Sequence, residues 1–135
     1  MSLFGNVIIQ TVYSALIGNS TLMALVNDSI FDHVPDKNPY PFIAIGELIQ
    51  TEDNTGSPEQ GVIASLTLHT YSRYDGRDET HEIQEEINRT LHRADLISSG
   101  VDFISIDHAQ SQSFVDADGK TRHGIMEFKI LITEI

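Results

Sequence analysis

Three groups of residues have types and spacings that could do chemistry. His81-Glu82-Ile83-Gln84-Glu85 comes close to the zinc-protease helix motif, in which two histidines hold the metal and the glutamate between them acts as base. The last position here is Glu85, not histidine. His81 and Glu85 would share a helix face, but no third ligand stands at a recognisable spacing. A charged face opposite an apolar stripe is the ordinary state of a solvated helix. Asp116, Asp118 and Glu127 fall at positions 1, 3 and 12 of a calcium loop. The fifth and sixth positions are Lys120 and Thr121, where an acidic or amide ligand and a glycine are needed, so a cation opposes the ion. The 6 histidines, at 33, 69, 81, 92, 108 and 123, are scattered. Serine and aspartate accompany them, but a triad is defined by geometry rather than by composition. There is no Gly-x-Ser-x-Gly elbow and no glycine-rich phosphate loop. The sequence thus supplies no catalytic residues, and no metal or cofactor is expected.

Composition sets the wider bounds. The 135 residues fit one domain, 1–135, large enough to bury a core without a staple. The absence of cysteine excludes disulfides, thiolate catalysis and cysteine-ligated zinc. Eight basic residues against 20 acidic give a net charge of −12. Duplex DNA is held through phosphate neutralisation by Lys and Arg, so sequence-specific nucleic-acid binding is not expected. An acidic surface serves solubility, and it also suits a channel through which DNA slides without sticking. No apolar run reaches the length of a membrane span, and the N-terminus lacks the basic start of a secretory signal.

The elements that would position these side chains can be read from periodicity. Phe4, Ile8, Val12 and Leu16 recur at helical spacing, flanked by Ile9, Tyr13 and Ile17, and Gly18 is a natural stop. Ser20 or Thr21 can cap a short second helix through Leu22, Leu25 and Val26. Ile30 to Val34 reads as extended, and Pro35, Pro39 and Pro41 make the next stretch an ordered loop. Phe42 to Gln50 and Val62 to Arg73 read as strands around a polar loop, 51–61. Asp75 or Asp78 can cap a helix reaching about Arg93, with Ile83, Ile87 and Leu91 as its buried stripe. Val101 to Val115 and Thr121 to Ile135 flank Asp118-Gly119, a hairpin signal. The sum is an α+β domain: a mostly antiparallel four- to five-stranded sheet with two to three helices on one face.

Two hairpin registers are open, pairing Asp116 with Gly119 or Ala117 with Lys120. They differ by an even number of positions, so both put the same side chains on the same face. One face collects Val101, Phe103, Ala109, Met126, Phe128, Ile130 and Ile132 and should be the core. It also carries Asp107, which needs a bulge or a partner. The other collects Ile104, Ile106, Ile125 and Leu131 among polar residues. A sheet covered on one side should be polar on the other. These four are therefore candidates for a contact between subunits. The loops around Asp53 and Asn54 and around Asp116, Asp118 and Lys120 are candidates for reaching a partner or lining a lumen.

Three stretches, in order, carry a family likeness. They are Ile30-Phe31-Asp32-His33-Val34-Pro35 leading into Pro39-Tyr40-Pro41-Phe42-Ile43-Ala44-Ile45-Gly46-Glu47; Leu66-Thr67-Leu68-His69-Thr70-Tyr71-Ser72-Arg73 followed by Gly76 and an acidic amphipathic helix; and Asp116-Ala117-Asp118-Gly119-Lys120-Thr121-Arg122-His123-Gly124 followed by a strand. Together they resemble the tail-completion, or tail-terminator, proteins of tailed phages, prophages and gene-transfer agents. The resemblance implies a non-enzymatic virion structural protein, made in the bacterial cytoplasm. It would form a homo-oligomeric ring, usually a hexamer, at the head-proximal end of the tail. Its partners would be the tail tube protein and the head connector proteins. The competing readings are a head-side neck adaptor, a contractile-injection-device subunit, and a small metal-dependent hydrolase using His69, His108 or His123.

Overall fold

The computed structural model describes residues 3–53 and 61–135. The chain runs α1 (Gly5–Ile17), α2 (Ser20–Val26), β1 (Ile30–Phe31), β2 (Phe42–Asp53), β3 (Gly61–Ser72), α3 (Asp78–Leu91), β4 (Ile97–Ser98), β5 (Val101–Val115) and β6 (Arg122–Glu134). The strands form one sheet in the order β1-β2-β3-β6-β5-β4. The fold is α+β as expected, but the sheet has six strands and is mixed, because β1 runs parallel to β2. The two short strands are two-residue bridges: β1 lies within the stretch from Ile30 to Val34 read as extended, and β4 is too short to leave a periodic signal. β4 folds back on β5 through Ser99 and Gly100, whose φ of 82° is in the left-handed region that glycine tolerates.

The helices supply one layer. Phe4, Ile8, Val12 and Leu16 are buried as the four-residue spacing predicts, while Tyr13 and Ile17 remain exposed. The cap of α2 is neither Ser20 nor Thr21. Asn19 accepts the Leu22 N–H at 3.0 Å and donates to Thr90 Oγ1 at 2.8 Å, so one side chain starts α2 and fastens it to α3. α3 begins after Arg77 without a side-chain cap, and Asp78 and Glu79 instead place negative charge against the positive end of its dipole. Ile83, Ile87 and Leu91 are fully buried against the sheet. Burial of each such side chain contributes roughly 1.5–3 kcal/mol. No single helix among the described residues is long and apolar enough to cross a membrane.

On the helix side of the sheet, cross-strand rungs are almost entirely apolar: Ile45–Leu68–Met126, Leu48–Leu66–Phe128, and Val62–Ile132–Phe103. The β5–β6 ribbon departs from expectation in one respect. Val115 faces Arg122 and Gln110 faces Glu127, which is the Ala117–Lys120 register. At the base, Phe103 faces Ile132 and Val101 faces Glu134, which is the Asp116–Gly119 register. Both registers are used, one at each end. Single-residue bulges at Ala109 and Ile104 absorb the difference. Each bulge is an odd shift, so Ser105 to His108 present the opposite faces from those a uniform ribbon would give.

The consequences are specific. Ile106 is not on the open face: it is 1% exposed and belongs to the core, opposite Ile130. His108 turns inward, edge-on to Phe128. Asp107 turns outward, opposite Lys129 and 3.7 Å from Arg93 Nε, so the carboxylate that had no place is accounted for. Ala109, expected in the core, is exposed at its bulge.

Candidate functional site

The open face of the sheet reads as successive rungs from the hairpin tip to the opposite end. The first rung crosses β2, β3, β6 and β5 as Phe42, Tyr71, His123 and Phe114. Phe42, Tyr71 and His123 are layered, with centroids 4.9 Å and 4.4 Å apart, and Phe114 lies tilted against His123 at 5.0 Å. Tyr40 extends the row at 5.2 Å from Phe42, with the Arg73 guanidinium 4.4 Å above its ring. Aromatic pairs of this kind each add about 0.5–1.5 kcal/mol beyond area burial. Phe42 is therefore buried on a face that carries no helix among the described residues.

The second rung is Ala44, His69, Ile125 and Gln112. It meets the first through a line of polar contacts. Glu47 Oε2 lies 2.9 Å from His69 Nε2, His69 Nδ1 lies 2.8 Å from His123 Nε2, and His123 Nδ1 lies 3.2 Å from Asp116 Oδ1. Three strands and a loop thus converge: the β2 bulge between Ile45 and Leu48, the adjacent strands β3 and β6, and the first residue of the hairpin loop. Gly46 makes the approach possible, because a Cβ there would stand 2.5 Å from His69 Cδ2 and 3.0 Å from the Thr67 carbonyl.

The electrostatics reflect burial and neighbours. Burial pushes the His123 imidazolium below its ordinary range, against the pull of Asp116. The His69 hydrogen bond holds the Glu47 carboxyl below its usual range. Burial, with the negative charge of Asp116 and Glu47, raises the Tyr71 phenol. All four ring nitrogens of the histidine pair are engaged, so no imidazole lone pair is left to act as base on a substrate.

Beyond these rungs the face turns charged and then apolar. Glu127 faces Gln110, Lys129 faces Asp107, and then Ile63 pairs with Leu131, which in turn faces Ser105. Ile49, at 63% exposure, and Ile63, at 42%, lie on this face, and Ile104 is 51% exposed at the bulge beside it.

The predicted site residues divide accordingly. Ile104 and Leu131 sit near each other at the base of the ribbon, Ile125 stands half-buried beside His69, and Ile106 is in the core. Asp116 is a member of the histidine line. Asp118 shapes the turn, accepting the Lys120 N–H, the Thr121 N–H and the Thr121 hydroxyl, which holds its pKa down at about 2. Lys120 is exposed at the tip. Asp53 ends β2 at the far end of the sheet from this tip, and Asn54 lies outside the described residues. Asp53 and the hairpin loop are therefore not brought together. The motif residues of α3 part company as well: His81 contacts Ser113 Oγ at 3.0 Å and Glu85 pairs with Arg89. Sequence reasoning missed Glu47, His69 and His123 as a unit. The available signal was His69 and Tyr71 alternating with Leu68 and Thr70, which put an imidazole and a phenol on the open face.

Comparisons with known proteins agree over nearly the whole chain. The family model described as tail completion protein gp17 matches residues 10–133. The tail completion protein gp17 of Bacillus phage SPP1 is 27% identical over 111 residues, which span 82% of this chain and 81% of that protein. A chain of the virion of a native gene transfer agent particle superposes with a TM-score of 0.79 at 19% identity, covering 90% of this chain and 91% of that one. At that identity the superposition shows a common fold.

Proposed function

Since the chain belongs to the tail completion protein gp17 family, we propose that it is a structural subunit of a tailed-phage or prophage particle, completing the tail and joining it to the head as a closed ring. One observation carries the ring: the open face holds an apolar rung, Ile63 and Leu131, with Ile49 and Ile104 beside it, that no helix among the described residues covers. A ring requires heterologous contacts, in which one patch meets a different patch on the next copy and the rotation closes. The likeness of sequence suggests six copies at the head-proximal end of the tail, between the tail tube protein and the head connector proteins. Asp118 and Lys120, on a tip that projects past the strands, are the residues best placed to touch a partner. The chemistry asked of such a subunit is binding, not turnover. The engaged state of both imidazoles on the open face supports a non-enzymatic reading.

The test is association. Light scattering on size-separated protein should give a closed oligomer at micromolar concentration or above, alone or with the tail tube protein. A stable interface should remove roughly 1,200–2,000 Å² from solvent. A chain that stays monomeric at every concentration and salt, with and without the tube protein, overturns the ring.

A further inference from the structure

The line Glu47–His69–His123–Asp116 has three contacts between hydrogen-bonding atoms and ends on a carboxylate at each side. Each contact needs one proton. Two neutral imidazoles bring only two, which leaves one of the three contacts as acceptor facing acceptor. Two imidazolium rings bring four, which makes the histidine–histidine contact donor facing donor. Only a pair carrying a single extra proton satisfies all three contacts at once.

We propose that this line is a one-proton clamp that fastens the β5–β6 hairpin tip to the β2 bulge, closed when the histidine pair holds three ring protons and open when it holds two or four. In the closed state His69 is the imidazolium. It donates from Nε2 to Glu47 and from Nδ1 to His123 Nε2, and His123, neutral, donates from Nδ1 to Asp116. The placement agrees with the surroundings. His123 is the ring whose charged form burial disfavours, and Glu47 is held ionised by its contact with His69. The other titratable and charged groups facing the line are few. β3 contributes Tyr71, and the segment before β2 contributes Tyr40. Arg73 lies over Tyr40 and is turned toward Asp118, while β5 offers Phe114 and Gln112. Side-chain exposures of 15% for His69 and 14% for His123 keep bulk water from the contact between the two rings, whereas Glu47, at 68%, is open to solvent; a missing or surplus proton is therefore felt at the ring–ring and His123–Asp116 contacts that hold the tip.

The clamp acts on the tip that carries Asp118 and Lys120, but it operates within one chain, so its test does not depend on assembly. Imidazole nitrogen spectra of the histidine-labelled full chain, taken across a pH series, should show a window in which His69 bears both protons and His123 only the Nδ1 proton. In that window amide exchange at the tip, corrected for intrinsic pH dependence, should be slowest. It should accelerate about tenfold on either side, the change expected for one charge-assisted hydrogen bond. His123→Gln should make tip exchange flat with pH. Spectra in which the two rings titrate independently, or a wild-type tip whose exchange does not change across the series, overturn the clamp. The spectra on the unaltered chain decide the matter even where the variant does not fold.

Discussion

The two faces of the sheet solve the same problem with different chemistry. The helix side is held by dry side chains: Leu66, Leu68, Met126, Phe128, Ile130 and Ile132 are buried under three helices and need no directional partners. Near the tip, the open side has no helix, yet it buries Phe42 and most of two histidines. It does so with a layered aromatic row and a hydrogen-bonded line whose members come from three strands and a loop. Non-directional burial tolerates small shifts. A polar line in low dielectric does not, because one missing proton or one displaced ring leaves an unpaired group. The helix side therefore carries most of the stability, and the open side carries the parts that can respond.

Substitutions should separate the two, beginning with the largest effect. Phe128→Ala removes a fully buried ring from the helix side and should cost about 3–5 kcal/mol in a denaturant titration, with little change in pH dependence. Gly46→Ala attacks the other face. Its methyl group meets the His69 ring and the Thr67 backbone, so His69 must leave the line. A cost of about 1–3 kcal/mol is expected, together with loss of the His69–His123 contact in nitrogen spectra. Equal costs with the histidine line intact would mean that the open face is merely a second dry core.

Acidification probes the same difference more gently. The His123 pKa is depressed from the ordinary 6.5, so its contribution is present above that pH and is lost as pH falls through its lower folded value. The Glu47 pKa is depressed from 4.5, and its share is lost further down. Thermal midpoints should therefore fall in two stages below pH 6.5, the upper one absent in His123→Gln. Asp118 keeps its charge to about 2, so the turn itself should outlast both stages.

How much of this could be read from the sequence depends on whether the signal was local. The stripes of α1 and α3, the alternation of β3 and the Asp118-Gly119 hairpin were legible, because period and turn chemistry act over a few residues. The ribbon faces were legible at the tip and at the base, where even parity holds. Between the bulges they were not, and Ile106 and Asp107 exchanged places for that reason alone. A bulge is chosen by what the far strand must present. Asp107, an acid predicted among core residues, was its one sequence trace. Glu47, His69 and His123 were beyond sequence logic for a related reason: their meeting depends on β3 pairing with β6 across α3 and on a bulge at Gly46 that no periodicity announces.

The smallest effect on stability is the most telling for assembly. Ile104 is the bulged residue of β5, half exposed, beside the Ile63–Leu131 rung. Ile104→Asp should change folding stability by only about 0.5 kcal/mol, as surface substitutions do. A charge desolvated against a neighbouring copy has no such freedom, since burial of an unpaired carboxylate costs several kcal/mol. The variant should therefore melt like the parent but remain monomeric under conditions in which the parent forms the proposed ring. Unfolding of the variant would place Ile104 with Ile106 in the core, and assembly that survives it would move the subunit contact away from the base of the ribbon. Leu131→Asp separates these outcomes, because Leu131 is not at a bulge and stands on the open face, directly opposite Ile63 and Ser105.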